Sequence, residues 1–420
     1  MQFFKPRFKG WVLITLWTSF LPVHAQTPTN LAYFIEAAHT SSPLLSDYNN
    51  QLISSRIDSL KLRAAYGFIV SGEGAATYAP VVRGWGYDKD LTNGKSVFAG
   101  VRVSRELVGR NNLQARLDSY RAGMAQVVAQ KELTIETLDK QITDQYIATY
   151  TSQQQYLLSK ELVAFLNQED KVLKQLTQQA TFKQTDYLSF KVTLQQNQLV
   201  LQQQTADWQN NYLLLNYLSG RVDTTIRELD APDIGGAQQP SAFETSVYAR
   251  AFRADSVKLA NDAEVIAYDY KPKISAFSDA GYQSSFIQTP YRNWGLSVGV
   301  AVSLPLYDGH QKNLLLQQNQ LAEQTRRSYA SRLQNQYQQQ VFQLQNQLEQ
   351  YRRMMDTANE QLVYTRTLVD ANAKQLPTGD VKMVDFILSI NNVLNLQASI
   401  IQYNYALLSL QNQLTHLILQ

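Results

Sequence analysis

The sequence predicts an α+β membrane protein, in which long antiparallel helices join two β-hairpins and the whole unit is repeated once along the chain. Three observations carry this. Two anchor sets recur in one register. Gly100-Val101-Arg102-Val103-Ser104 returns as Gly299-Val300-Ala301-Val302-Ser303, an offset of 199 residues, and Leu107 returns as Leu306. Asp186 and Leu188 return at the same offset as Asp385 and Ile387. Within each half, a segment of alternating small and apolar residues feeds a long span almost free of Gly and Pro, the change of texture from strand to helix. Beyond the N-terminus no stretch reads as a membrane helix, so entry into a bilayer requires a β-barrel.

The N-terminus is read as a secretory signal. Lys5, Arg7 and Lys9 precede an apolar run of 11 residues, Trp11 to Leu21, and Val23-His24-Ala25 forms a small-residue cleavage site before Gln26. That run is too short for a stable membrane anchor. The chain of 420 residues has no Cys, which excludes disulfides and an N-terminal lipid attached through Cys. Its formal charge of +3 is carried by the three basic residues of the signal, so residues 26–420 are formally neutral. That excludes a basic face for nucleic acid.

The elements follow in order. Residues 31–64 read as a helix, with Leu52, Ile53, Ile57, Leu60 and Leu62 near the helical period. Residues 66–107 form a hairpin: a strand from Phe68 to Pro80, a loop containing Gly84, Trp85, Gly86 and the turn pair Asn93-Gly94, and a return strand from Ser96 to Leu107. A long helix at 110–178 leads to a tip at 180–187, and a returning helix ends at Leu218-Ser219-Gly220, closing a first repeat over 26–220. Residues 221–245, with Pro232, Gly235-Gly236 and Pro240, read as a linker. The second repeat, 246–420, has a helix, a hairpin at 271–305, a long helix at 309–376, a tip at 377–386 and a returning helix.

Neither hairpin holds enough apolar residues to build a core of its own, and isolated two-stranded hairpins are marginal in water. Small and apolar residues on one side, with Ser, Asp and Gln on the other, suit the wall of a transmembrane barrel. Tyr66, Tyr78, Trp85 and Tyr87, then Tyr270, Tyr282, Tyr291 and Trp294, place aromatic rings near the hairpin ends. Four strands cannot close a barrel, so several subunits must pool them. In the long helices, Val341, Leu344, Leu348, Tyr351, Met355, Ala358 and Leu362 step by three and four residues as a heptad seam. Leu158, Leu162, Phe165, Val172 and Leu176 show the same spacing in the first half. The remaining faces are rich in uncharged Gln, Asn, Ser and Thr, as a water-filled duct needs.

Catalytic constellations are missing, and the chain is read as no enzyme, with no cofactor and no metal. His39, His310 and His416 stand alone in sequence, without an i, i+4 partner. Asn93-Gly94-Lys95-Ser96 fails as a phosphate loop because its first Gly would fall at Lys89.

At this point the sequence resembles the TolC family of outer-membrane efflux channels. Gly299-Val300-Ala301-Val302-Ser303-Leu304-Pro305-Leu306-Tyr307-Asp308-Gly309 is similar to the family's strand ending in Pro-Leu-(Phe/Tyr)-Asp-Gly before a long helix. Lys271-Pro272-Lys273-Ile274 is also family-like. Thr185-Asp186 resembles the end of the first tip motif, and Gly379 with Val384-Asp385 resembles the second. The departures are Tyr66-Gly67-Phe68, without the family's Pro, and Arg105-Glu106-Leu107-Val108-Gly109, likewise. Leu388 stands where some relatives carry a second Asp, and Val381 where some carry a base, with Lys382 adjacent.

The resemblance implies a homotrimer in the outer membrane, with four strands per subunit in a twelve-stranded barrel and the helices continuing as a periplasmic α-barrel. Its tips meet an inner-membrane transporter through a periplasmic adaptor, of the membrane-fusion class. Thr181, Phe182, Thr185, Thr378, Gly379 and Val384 then fall at the docking tips. Asp385 and Asp186 have two compatible readings: helix caps or first-turn residues that start the returning helices, favoured by the helix dipole, or carboxylate rings that select cations and hold a gate. A periplasmic coiled-coil scaffold or adaptor without a pore is the other reading of the helices.

Overall fold

Helix α1, Leu31–Ser41, is opened by Asn30, whose side chain accepts the Tyr33 backbone N–H at 3.1 Å. It stops at Ser42 because Pro43 has no N–H to continue the ladder. Helix α2 starts at once, Pro43–Ala65, with Ser42 Oγ accepting from the Leu45 N–H at 3.4 Å. The one helix expected over 31–64 is therefore two. The computed structural model describes residues 29–86, 94–179, 182–234, 242–286 and 289–417. The expected cleavage site at Ala25 and Gln26 lies outside the described residues, as do Tyr87, Asn93, Ala180, Thr181, Gly235-Gly236 and Pro240.

Strands β1, Ile69–Tyr78, and β2, Lys95–Leu107, precede helix α3, Arg110–Gln178, whose 69 residues run through Gly123 without a break. That length is about 100 Å at 1.5 Å per residue. Helix α4, Gln184–Leu218, returns alongside it. A single 3₁₀ turn at Phe243–Thr245 leads to helix α5, Val247–Asp269, capped by Ser246. Strands β3, Lys273–Ser284, and β4, Trp294–Ser303, precede helix α6, Gln311–Gln375, and helix α7, Met383–Thr415, returns along α6. Strand β3 stops at Ser284, and two residues on Phe286 takes a positive φ of 62°.

The motif between β4 and α6 has a physical reading. Pro305 ends the ladder. The Asp308 carboxylate then accepts the backbone N–H groups of His310 at 2.9 Å and Lys312 at 3.1 Å, and so caps α6. Those N–H groups, Lys312 foremost, hold the Asp308 carboxyl below its ordinary range. Gly309 and His310 both take positive φ to make the corner. In the first half no such cap exists, and α3 starts directly after Gly109.

All four strands form one antiparallel sheet in the order β1-β2-β3-β4. The hairpins of the two halves are joined by β2 against β3, with Gly100 opposite Gly281 and Arg102 opposite Asp279. Strands β1 and β4 are the two edges. Below the sheet, three apolar clusters among the described residues hold the helices. One gathers Phe34 of α1, Ile142 and Tyr146 of α3, Tyr212 and Leu215 of α4, and Leu229. A second lies at the far end of the long helices and joins Leu166, Leu173, Phe190 and Leu194 to Leu376, Met383, Phe386 and Ile390. The third gathers Phe243, Tyr337, Leu344, Leu348, Leu410, Leu414 and Leu417.

Two sequence expectations, the α3 seam and the absence of a membrane-length helix, need correction, and two others gain detail. The apolar seam of α3 is rotated by about one residue: Val163, Leu166 and Leu173 are buried, while Val172 is exposed. The reason is that α3 packs on α4 and on α7, so its buried stripe lies between two partners. The linker is packed: Leu229 is buried, its N–H donates to Gln153 Oε1 at 2.7 Å, and Gln153 Nε2 donates to the Leu229 carbonyl at 3.2 Å. Two histidines that stand alone in sequence are paired in space, His39 with Asp139 and His416 Nδ1 with Glu136 Oε2 at 2.7 Å. Finally, α7 is long and apolar enough to cross a membrane by length and composition, with Asp385 its one charged residue. It lies instead against α6, and only 17% of its apolar window is buried by its own chain.

Candidate functional site

Two regions of the molecule carry functional potential, the sheet and the far tips of the long helices. The sheet has two unlike faces, because side chains alternate along each strand. One face carries Val70 and Tyr78 of β1, Val97, Val101 and Val103 of β2, Ile274 and Tyr282 of β3, and Trp294, Leu296, Val298, Val300 and Val302 of β4. On β4 this row is 66–79% exposed in the single chain, an apolar surface that water does not tolerate at such length. The opposite face carries Ser71, Glu73, Thr77, Ser96, Arg102, Ser104, Asp279, Gln283 and Ser297. This is the apolar-out, polar-in alternation of a transmembrane barrel wall.

Among the charges on the polar face one network stands out. Arg102 donates from Nε to Asp279 Oδ1 at 2.6 Å and from a terminal nitrogen to Asp279 Oδ2 at 3.2 Å. Its other terminal nitrogen lies 3.0 Å from Glu73 Oε2. Ser297 Oγ donates to Asp279 at 3.3 Å, so the network links all four strands. Sequence reasoning missed it. The signal was there in Glu73, Arg102 and Asp279, charges on the polar side of strands that otherwise carry few, but only the register makes them neighbours.

At the tips the two halves are built alike. Lys183 opens α4 and Lys382 opens α7, neither with a side-chain cap, and Asp186 and Asp385 are each the third residue of the helix. Their backbone N–H groups bond the Lys183 and Lys382 carbonyls, each at 3.0 Å. Neither Asp is thus an N-cap residue, and both sit in the first turn, where the dipole favours a carboxylate. Phe386, the residue after the second of these acids, is buried in the tip cluster, whereas Val384, Asp385 and Leu388 are exposed. Asp186 is half-buried, Thr185 exposed and Phe182 packed on the tip cluster. Gly379 makes the second reversal at φ 78°, donating its N–H to the Leu376 carbonyl at 3.1 Å. Thr378 Oγ1 donates to the Gln375 carbonyl at 2.8 Å. Behind the first tip, Asp170 of α3 receives Lys191 Nζ at 2.8 Å and the Tyr187 hydroxyl at 3.3 Å, both from α4. That carboxylate raises the Lys191 ammonium above its ordinary range. Among the described residues no group of His, Asp and Glu is placed to hold a metal.

The four-stranded open sheet is joined to two helices of about 100 Å, α3 and α6, each with a shorter helix returning along it. No protein-family model and no curated protein matches the sequence. Solved structures do. The chain is similar to CusC, a transmembrane channel-forming protein, at 11% identity and TM-score 0.73, over 93% of this chain and 92% of that one. It is similar to the outer membrane protein VceC of Vibrio cholerae at 14% identity and TM-score 0.70, over 92% and 95%. It is also similar to the MtrE outer membrane channel of Neisseria gonorrhoeae in its open state, at 11% identity and TM-score 0.71, over 92% and 88%. The likeness spans nearly the whole of both chains, so the TolC-like α+β fold is shared from the sheet to the tips.

Proposed function

We propose that this chain is one subunit of a TolC-like, homotrimeric outer-membrane channel, the passive exit duct of a tripartite efflux or type I secretion system. The observation that carries the reading is the open sheet with an apolar face and two unpaired edges. Lipid does not tolerate an open edge. Edge β1 of one copy against edge β4 of the next closes the sheet, and three copies give twelve strands. The apolar surface that α7 leaves uncovered then packs against neighbouring copies in a periplasmic α-barrel. The duct is not an enzyme: it lowers no chemical barrier and offers a path.

The tips at 180–187 and 377–386 are the ends available to a periplasmic adaptor and an inner-membrane transporter. Phe182, Thr185, Thr378, Gly379 and Val384 belong to this docking end, as does Thr181. Three-fold symmetry makes Asp385 a ring of three carboxylates, with Asp186 beside it, and a carboxylate ring at a constriction selects cations. Leu388 shares the exposed face of Asp385, so this constriction is less acidic than one with two Asp rings and leans on packing. The pore-free scaffold has no use for the apolar sheet face.

Fractionation tests the reading. The protein should remain in the outer membrane after a high-salt wash and form pores in planar bilayers; release by salt with no pore favours the scaffold. Asp385→Ala should raise single-channel conductance, where the carboxylates hold the gate closed, or weaken cation preference, where their charge selects ions. Unchanged conductance and selectivity would leave Asp385 as a first-turn helix residue only.

A further inference from the structure

We infer that the Glu73–Arg102–Asp279 network is a second charge-selecting element, seated on the inner wall of the barrel, which favours cationic over anionic cargo independently of the tips. The inference rests on the channel reading above and adds to it a substrate class.

Asp279 lies directly opposite Arg102 on one side and Ser297 on the other, and Glu73 is two residues along β1 from Ser71, the direct partner of Arg102. Arg102 therefore reaches a carboxylate on each neighbouring strand. Its guanidinium also lies over the Phe277 ring, 5.2 Å from the centroid, and the tip of that ring occupies the space beside Gly299, where a Cβ would stand 2.4 Å from it. The network is thus fixed on a floor of its own. Its outward accessibility is uneven. The Asp279 side chain is 12% exposed and satisfied by two partners, while Glu73 and Arg102 are 36% and 38% exposed toward the polar face. Two acids against one base leave one net negative charge per chain. A closed ring of three copies repeats it around one level of the lumen.

Magnitude decides whether such a ring matters. In salt at about 10 mM the Debye length is roughly 30 Å, so fixed charge on a barrel wall reaches well into the lumen, whereas at 1 M it fades within about 3 Å. Selection should therefore appear at low salt and vanish at high salt. Arg102 tempers the ring, and its removal should sharpen cation preference. Removal of Glu73, which has the looser anchoring, should abolish it without disturbing the Arg102–Asp279 pair.

The chain's lack of Cys allows a local measurement that the tips do not influence. Ala75 shares the polar face of β1 with Glu73, two residues along. Ala75→Cys supplies a unique thiol there, to be reacted in outer-membrane fragments with a cationic trimethylammonium-ethyl and an anionic sulfonato-ethyl methanethiosulfonate. Each rate is normalised to that of a free small thiol. The ratio of the two cancels the reactivity of the thiol itself and reads the local potential. The ratio should exceed one at about 10 mM salt, rise roughly fivefold with Arg102→Gln and fall roughly fivefold with Glu73→Gln, the effect of one unit charge about 8 Å away in water. Opposite shifts from two neighbouring substitutions cannot come from misfolding. A ratio unmoved by both variants overturns the inference and leaves the channel standing. A thiol that neither reagent reaches until the protein is denatured overturns the water-filled lumen, and the channel reading with it.

Discussion

Gly281→Val should abolish the assembled barrel, although valine is among the best strand formers. Gly281 faces Gly100 across the β2–β3 pairing. A Cβ at Gly281 would stand 2.4 Å from the Ala99 carbonyl oxygen and 2.4 Å from the Gly100 Cα, and one at Gly100 would stand 2.7 Å from the Ala280 carbonyl oxygen. These are backbone atoms and cannot swing aside. The pairing that joins the two halves must open, at a cost above the roughly 1–3 kcal/mol of ordinary overpacking. The expected result is loss of the detergent-stable oligomer from outer-membrane extracts, by tenfold or more, since about 1.4 kcal/mol is tenfold in an equilibrium. Gly72→Val and Gly295→Val are the controls, because a Cβ at either position meets nothing within 4 Å. Both should assemble. If Gly281→Val assembles as they do, the Gly100–Gly281 contact is not what sets the seam.

Phe386→Ala should loosen the tips and spare the barrel. Phe386 is fully buried at the start of α7, in the cluster that fastens α6 and α7 to α3 and α4. Truncating a buried Phe to Ala costs about 3–5 kcal/mol. That loss falls about 100 Å of helix away from the sheet, so it should act locally. Amide exchange in residues 182–194 and 376–390 should rise by two orders of magnitude or more, and protease should cut first at the tips, with the oligomer intact. Unchanged tip protection would mean that contacts between copies, and not this cluster, hold the tips together.

The sequence made the large elements plain for simple reasons. Long spans without Gly or Pro have no cheap way to stop being helix, so the 69-residue α3 and 65-residue α6 can be read directly. Pro377 and Gly379 mark the second reversal, and the alternation of β4 is unbroken from Trp294 to Val302. What escaped depends on partners. The Ser42-Pro43 break was written in the chain as a helix-start pair, but the apolar spacing on either side hid it. The buried stripe of α3 could not be placed because it serves α4 and α7 together. His39 with Asp139, Gln153 with Leu229, and Arg102 with Glu73 and Asp279 join residues 76 to 177 apart in most cases, and only the fold brings them together. At the tips, the repeat makes Asp186 and Asp385 legible as equivalent residues, each in the first turn of a returning helix.

If the open sheet of one chain is completed by two further copies, the assembled protein holds three chains. The most direct test is the mass of the complex extracted from the outer membrane in mild detergent, corrected for bound detergent. The expected mass is three times that of the mature chain, with the β1 and β4 edges crosslinking between copies when thiols are placed by Gly72→Cys and Val300→Cys. A monomer of one chain mass whose strands resist proteolysis and amide exchange in detergent would contradict it.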